Sequence, residues 1–302
     1  MNAFFNEIKT KYQQGNLLIK LIAINVAVYL LMVVLNILSP LITGQEVGYL
    51  MDNYIYPNLA FSSNLSTFLF KPWTLITHQF VHQISPGHLL GNMLILYFLG
   101  KLFINYFSQK QLLGLYLLGG TVGALALLLI YNLSPFFPHE TIAYGASAAV
   151  MAIAIAACSY TPNQFIYVFG VLKLKMQWLG LMLIAFDLFS FYDGNTGGHI
   201  AHLVGAGSGF FFTQQYKKGI DITKNINQFI SFLNNLFTVR KTRSKMKVTY
   251  SNSTRTMSDA EYNKKRRVSQ TTIDEILDKI SRNGYDSLSK VEKETLFKYS
   301  NK

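Results

Sequence analysis

Residues 17–38 read LLIKLIAINVAVYLLMVVLNIL, with Lys20 as the only charge. An apolar run of this length suits a bilayer, where the backbone must satisfy its own hydrogen bonds and a helix is the simplest solution. Five further runs follow, at about 88–106, 112–131, 143–160, 177–192 and 198–215. The expected fold class is therefore an all-α membrane protein with six transmembrane helices. The last three runs are short and rich in glycine or alanine, the composition of helices that touch protein more than lipid. No small-residue cleavage pattern follows the first run, so it reads as an anchor and not a leader.

Charge is distributed very unevenly. Half of the residues are hydrophobic and 14% are charged. Residues 1–216 hold 8 Lys/Arg and 6 Asp/Glu, whereas 217–302 hold 19 and 9, so the tail supplies +10 of the net +12. The expected organisation is an N-terminal segment (1–16), a six-span membrane domain (17–216), an amphipathic helix with a basic flexible linker (217–262), and a small helical C-terminal region (263–302). Lys9, Lys11, Lys20, Lys101, Lys110, Lys173, Lys175, Lys217 and Lys218 flank one set of span ends. The positive-inside rule then puts both termini in the cytoplasm, and a bacterial plasma membrane is the expected location. Cys158 is the sole cysteine, which excludes an intrachain disulfide and a paired-cysteine zinc site.

Polar residues inside apolar runs are functional candidates, because their burial in lipid is costly. His88 and Asn92 open the second run, one helical turn apart. Ser147 lies among Gly145, Ala146, Ala148, Ala149 and Ala152 near the start of the fourth. His199 and His202 stand near the start of the sixth, and His202 is followed by Gly205 and Gly209 on roughly the same face. All three runs cross in the same direction, so these groups share a depth near the outer side. Small residues let two helices meet closely. If the fourth and sixth meet there, an imidazole reaches Ser147 and can take its proton. The Ser147 N–H, His88 and Asn92 would then face the developing oxyanion. Each feature also has a structural reading: a membrane serine often bonds its own helix, small-residue pairs pack helices, and His88 with Asn92 can tie a loop. Spacing alone does not choose between His199 and His202.

At these residues the chain resembles the rhomboid intramembrane serine proteases. The serine motif G-x-S-G appears as Gly145-Ala146-Ser147-Ala148, H-x-x-x-N as His88 to Asn92, and A-H-x-x-G-x-x-x-G as Ala201 to Gly209. The resemblance implies a six-helix rhomboid-like bundle and a dyad of Ser147 as nucleophile and His202 as general base and acid, with no third acid. It implies His88 and Asn92 at the oxyanion, with Gly145, Met151, Gly205 and Gly209 as supports. It also implies transmembrane proteins as substrates. Two positions depart from the pattern: Ala148 replaces the second glycine, and Met151 stands where an aromatic residue commonly packs on the histidine. The alternative is a non-catalytic rhomboid-like protein that binds membrane-protein clients. A transporter ranks third, since no repeated halves are evident.

Asp187 in the fifth run could line the pocket or pair with a histidine, but a hydrogen bond to a loop or neighbouring span is the expected role. The His78/His82 and His199/His202 pairs lack the acidic or cysteine company of a metal site, so neither metal nor cofactor is expected. In the tail, Ile226, Phe229, Ile230, Leu233, Leu236 and Phe237 share a helical face. Arg240, Lys241, Arg243, Lys245 and Lys247 follow, a pattern suited to anionic lipid, with packing of the helix beneath the membrane core as the alternative. The KKRR run at 264–267 reads as a solvated or lipid-facing patch and not as nucleic-acid recognition. Two short helices are expected last. One ends at Gly284; the other is opened by Ser289 and Glu292 as a capping box.

Overall fold

The computed structural model describes residues 17–137, 140–168, 170–192, 194–237 and 259–300. It divides into two compact units, Met1–Val239 and Arg240–Lys302. Among its described residues the first contains six principal helices: α1 Leu17–Thr43, α2 Pro86–Ile104, α3 Gln109–Leu133, α4 Ser147–Tyr160, α5 Met176–Phe189 and α6 Thr196–Lys217, followed by α7 Lys224–Phe237.

The alanine-rich α4 is the centre of this unit. Every residue from 148 to 158 is buried, and α4 packs against α2, α3, α5 and α6. Only a helix of small side chains admits four neighbours at such close range. Gly119 and Gly123 on α3 face Ala152 and Ala148, and Gly180 on α5 faces Cys158. Helix α1 lies to one side against α2 and α3. It buries Leu18, Leu21, Tyr29 and Met32, while Leu41 and Ile37 stay exposed. Asn25 is fully buried and donates to Tyr116 Oη at 3.2 Å; Tyr116 in turn donates to the Gln79 carbonyl at 2.9 Å. That chain ties α1, α3 and the loop before α2 together.

Several boundaries differ from the sequence expectation. Among the described residues three helices, α1, α2 and α3, are long and apolar enough to cross a membrane. Helices α4 and α5 have 14 residues each, or about 21 Å, and the glycine- and polar-rich start of α6 lowers its hydropathy. Pro86 is the first residue of α2, where a missing N–H costs no intrahelical bond. The loop from 44 to 85 holds short helical pieces at Met51–Ile55, Tyr56–Leu59, Leu65–Phe70 and Thr74–Thr77. Trp73 is half exposed and donates from Nε1 to the Asn58 carbonyl at 2.8 Å. A hairpin of Phe165–Val168 and Leu172–Lys175 joins α4 to α5, turning at Gly170 with φ +74°.

Helix α3 begins with a capping box. Ser108 Oγ accepts from Gln111 N–H at 3.2 Å, and Gln111 Oε1 accepts from Ser108 N–H at 2.8 Å. Gln111 also donates to Asp221 Oδ2 at 2.9 Å. Thr223 and Asn227 lie against Gly114, so α7 begins in contact with the first turns of α3. The basic residues 240–247 and the proposed linker up to 258 lie outside the described residues.

In the second unit, helix α8 runs Asp259–Asn283 and α9 runs Lys290–Ser300. The first therefore starts before the expected helical region of 263–302, and 259–262 are helical where a flexible linker was expected. Residues 259–270 are mostly Ala, Glu, Lys, Arg and Gln, whose helix propensity suffices without apolar periodicity. Gly284 at φ +76° ends α8, its N–H returning to the Ile280 carbonyl at 2.9 Å. The Ser289/Glu292 capping box is present. Ile273, Ile276 and Leu288 are buried, whereas Leu277 and Phe297 are exposed.

Candidate active site

The site is assembled where a short strand turns into α4. Ile142–Ala143 pairs antiparallel with Phe61–Ser62. Gly145 then adopts φ +119°, with its N–H bonded to the His78 carbonyl at 2.9 Å. A methyl group on Gly145 would sit 3.0 Å from His88 Cε1. Both the backbone angle and the space therefore call for glycine. Residues 143–146 are not the first turn of a helix, as the apolar run suggested. The helix starts at Ser147 itself. Its N–H belongs to the first helical turn, which has no intrahelical acceptor.

Helix α6 crosses α4 in direct backbone contact. A Cβ on Gly205 would come 3.0 Å from Ala148 Cα, and one on Gly209 2.9 Å from Ala152 Cα, with each carbonyl oxygen nearer still. This closeness brings His202 Nε2 to 2.5 Å from Ser147 Oγ. The methyl of Ala148 does not obstruct the crossing. It points toward Gly123 of α3, where an added Cβ would lie 3.1 Å from it. The alanine is accommodated by a neighbouring glycine on a third helix.

A carboxylate meets the same imidazole from behind. Asp187 Oδ1 of α5 lies 2.7 Å from His202 Nδ1 and 2.8 Å from His199 Nδ1. Asp187 is 5% exposed. The absence of a third acid, implied by the resemblance, is thus not what the geometry shows. The three side chains could hold a cation by residue type. However, a tetrahedral zinc site with bonds near 2.0–2.1 Å separates its ligand atoms by roughly 3.3 Å. The shorter spacings here are those of direct hydrogen bonds.

His88 and Ser147 open on a cavity of about 540 Å³ that His202, Tyr144, Gly145 and His78 also line. Asn92 does not line it: its Nδ2 donates to the His88 carbonyl at 2.9 Å, within its own helix. Met151 is buried one turn below Ser147 in a cluster with Ile155, Ala206, Leu183 and Ile184. In the loop before α2, His78 Nδ1 lies 2.8 Å from the Thr74 carbonyl oxygen, and His82 Nδ1 3.2 Å from that of Phe80. Burial pushes both rings down to about 4, with the nearby His88 adding to the effect at His82. The His82 and His88 rings are 5.6 Å apart. Sequence reasoning gave Asp187 a minor role. The usable signal was an acid inside an apolar run, with two histidines about 12 and 15 residues further on.

An apolar helical bundle that joins a helix-opening serine to an imidazole at the wall of a polar cavity defines a narrow class of membrane protein. Residues 69–217 match the model of the rhomboid domain. The chain is also 31% identical to RHOMBOID-like protein 12, mitochondrial, from Arabidopsis thaliana over 183 residues. That match covers 57% of this chain and 52% of the plant protein, so the chain spans about half the length of the curated relative it matches. This chain belongs to the rhomboid family and is an integral membrane protein. Residues 257–302 match a separate family of unknown function (DUF6576).

Proposed function

We propose that the chain is an intramembrane serine endopeptidase that cuts transmembrane protein substrates. The observation that carries this reading is the Ser147–His202 hydrogen bond across the α4–α6 contact, at the wall of the cavity. In the proposed reaction His202 Nε2 takes the hydroxyl proton as Ser147 Oγ bonds to the scissile carbonyl carbon. The same proton passes to the leaving amine as the C–N bond breaks. Water then attacks the acyl-serine, giving its proton to His202, and Ser147 recovers its hydrogen as the acid departs. The Ser147 N–H, at the positive end of α4, suits a developing oxyanion, and His88 stands on the same cavity wall. Asn92 completes the proposed oxyanion set, although it needs a rotamer change to leave its own helix.

In this reading α1 to α6 are six crossings, with α4 and α5 short because protein surrounds them, and the cavity opens on the outer side. Both termini lie on the cytoplasmic side of a bacterial plasma membrane, as the basic flanks favour. Basic residues after α7 would meet anionic lipid. The test is cleavage of a single-span substrate by the purified chain, with fluorophosphonate labelling of Ser147. Ser147→Ala and His202→Ala should each abolish both signals while the fold survives. Full activity in both variants would remove the dyad. Binding of a substrate without labelling or cleavage would favour the client-binding alternative.

A further inference from the structure

We infer that Asp187 is a positioning residue that fixes the proton of His202 on Nδ1 and holds a negative charge behind the imidazole, with His199 as its second donor. The inference rests on the catalytic reading above and adds a third residue to it.

A carboxylate only accepts hydrogen bonds, so a ring nitrogen at 2.7 Å from it carries the hydrogen. A neutral imidazole has one N–H. With Nδ1 protonated, Nε2 of His202 presents its lone pair to Ser147 Oγ at 2.5 Å. The opposite tautomer would place N–H against the hydroxyl and a lone pair against a carboxylate, losing both good contacts. When the serine proton moves to Nε2, the ring becomes a cation, and the carboxylate is already beside it.

Asp187 is itself fixed. His199 Nδ1 binds the same oxygen at 2.8 Å, three residues before His202 and on the same helix face. Two donors from α6 thus hold one carboxylate from α5, and both the acid and His199 are buried. Asp187 does not line the cavity, so it acts through His202 and not on substrate. A structural tie between α5 and α6 would need only one of these bonds, and would not need the bond to fall on the imidazole that meets Ser147.

The test uses the full chain in detergent with ¹⁵N-labelled histidine. The wild-type spectrum should show neutral His202 with hydrogen on Nδ1 and none on Nε2. Asp187→Asn is nearly isosteric, but its amide can turn and donate to the ring. It should lower kcat on the order of 10²- to 10⁴-fold, leave KM within about two-fold, and shift hydrogen toward Nε2. Asp187→Glu should restore part of kcat. Wild-type kcat in Asp187→Asn, or hydrogen on Nε2 in the wild type, overturns the inference. If Asp187→Asn does not fold, the wild-type spectrum alone decides. A wild-type Ser147 that never reacts with fluorophosphonate removes the catalytic reading and this inference together. Equal labelling rates in wild type and Asp187→Asn remove the role of Asp187 only.

Discussion

Two pairs of histidines line up in sequence and part company in space. His78 and His82 sit in the loop before α2, and His199 and His202 sit in the first turns of α6. In the first pair, each ring's bonded nitrogen meets a backbone carbonyl. A carbonyl orients a ring but leaves a buried cation largely uncompensated, and burial pushes both rings down to about 4. In the second pair, both Nδ1 atoms meet the Asp187 carboxylate, and one ring also meets a hydroxyl. The lesson is that residue type and spacing do not assign chemistry to histidine. The group on the far side of the ring does.

The largest expected effect lies at the second pair. His202→Ala should reduce cleavage on the order of 10³-fold or more, while His78→Gln should leave far more activity. Comparable losses in a single-span substrate assay would erase the distinction.

The second pair also depends on the α4–α6 approach. Gly205→Val puts side-chain atoms into the Ala148 backbone, which has nowhere to move, and should cost about 1–3 kcal/mol or more along with activity. Gly207→Ala, two residues along and with no neighbour within 4 Å, is the control and should melt close to wild type. Equal melting temperatures in detergent for both variants would mean that backbone contact does not hold the site.

The first pair should appear in stability and not in catalysis. Its folded values lie below the ordinary histidine value of about 6.5. The unfolded chain therefore binds protons between pH 6.5 and 4 that the folded chain refuses. Stability is greatest above pH 6.5, falls through that window, and has lost its full amount below pH 4, roughly 3 kcal/mol for each ring. Melting temperatures from pH 7.5 to 4.5 should fall accordingly, and His82→Gln should flatten the slope. A flat wild-type profile would contradict the assignment.

The smallest expected effect is at Ala148. Since its methyl faces Gly123, Ala148→Gly should cost roughly 0.5–1 kcal/mol through helix propensity and lost packing, without raising kcat. A gain in rate would show that the methyl does obstruct the site.

Much of the site was legible because its residues are rare for their surroundings. Ser147, His88 and His202 stand in apolar runs where polar groups are costly, and Gly205 and Gly209 announce a close helix contact. The start of α4 was less legible, because Ala143 to Ala146 continue the apolar composition of the helix. Only the pairing of Ile142–Ala143 and the φ of Gly145 mark the break. The hairpin at 165–175 was hidden by the lysines used to orient the chain. The early start of α8 carried no apolar period to find.

By itself the sequence determined that the chain is helical, apolar through residue 215 or so, basic after it, and furnished with a serine and histidines near helix starts. Those are one-dimensional properties, set by transfer free energies and by the spacing of residues along a helix. The tertiary structure decided the rest: which histidine meets the serine, that Asn92 turns back on its own helix, that α3 makes room for Ala148, and that Asp187 stands behind His202. Each of these depends on distances between helices far apart in the chain, and a difference of one or two ångströms there separates a hydrogen bond from no interaction at all.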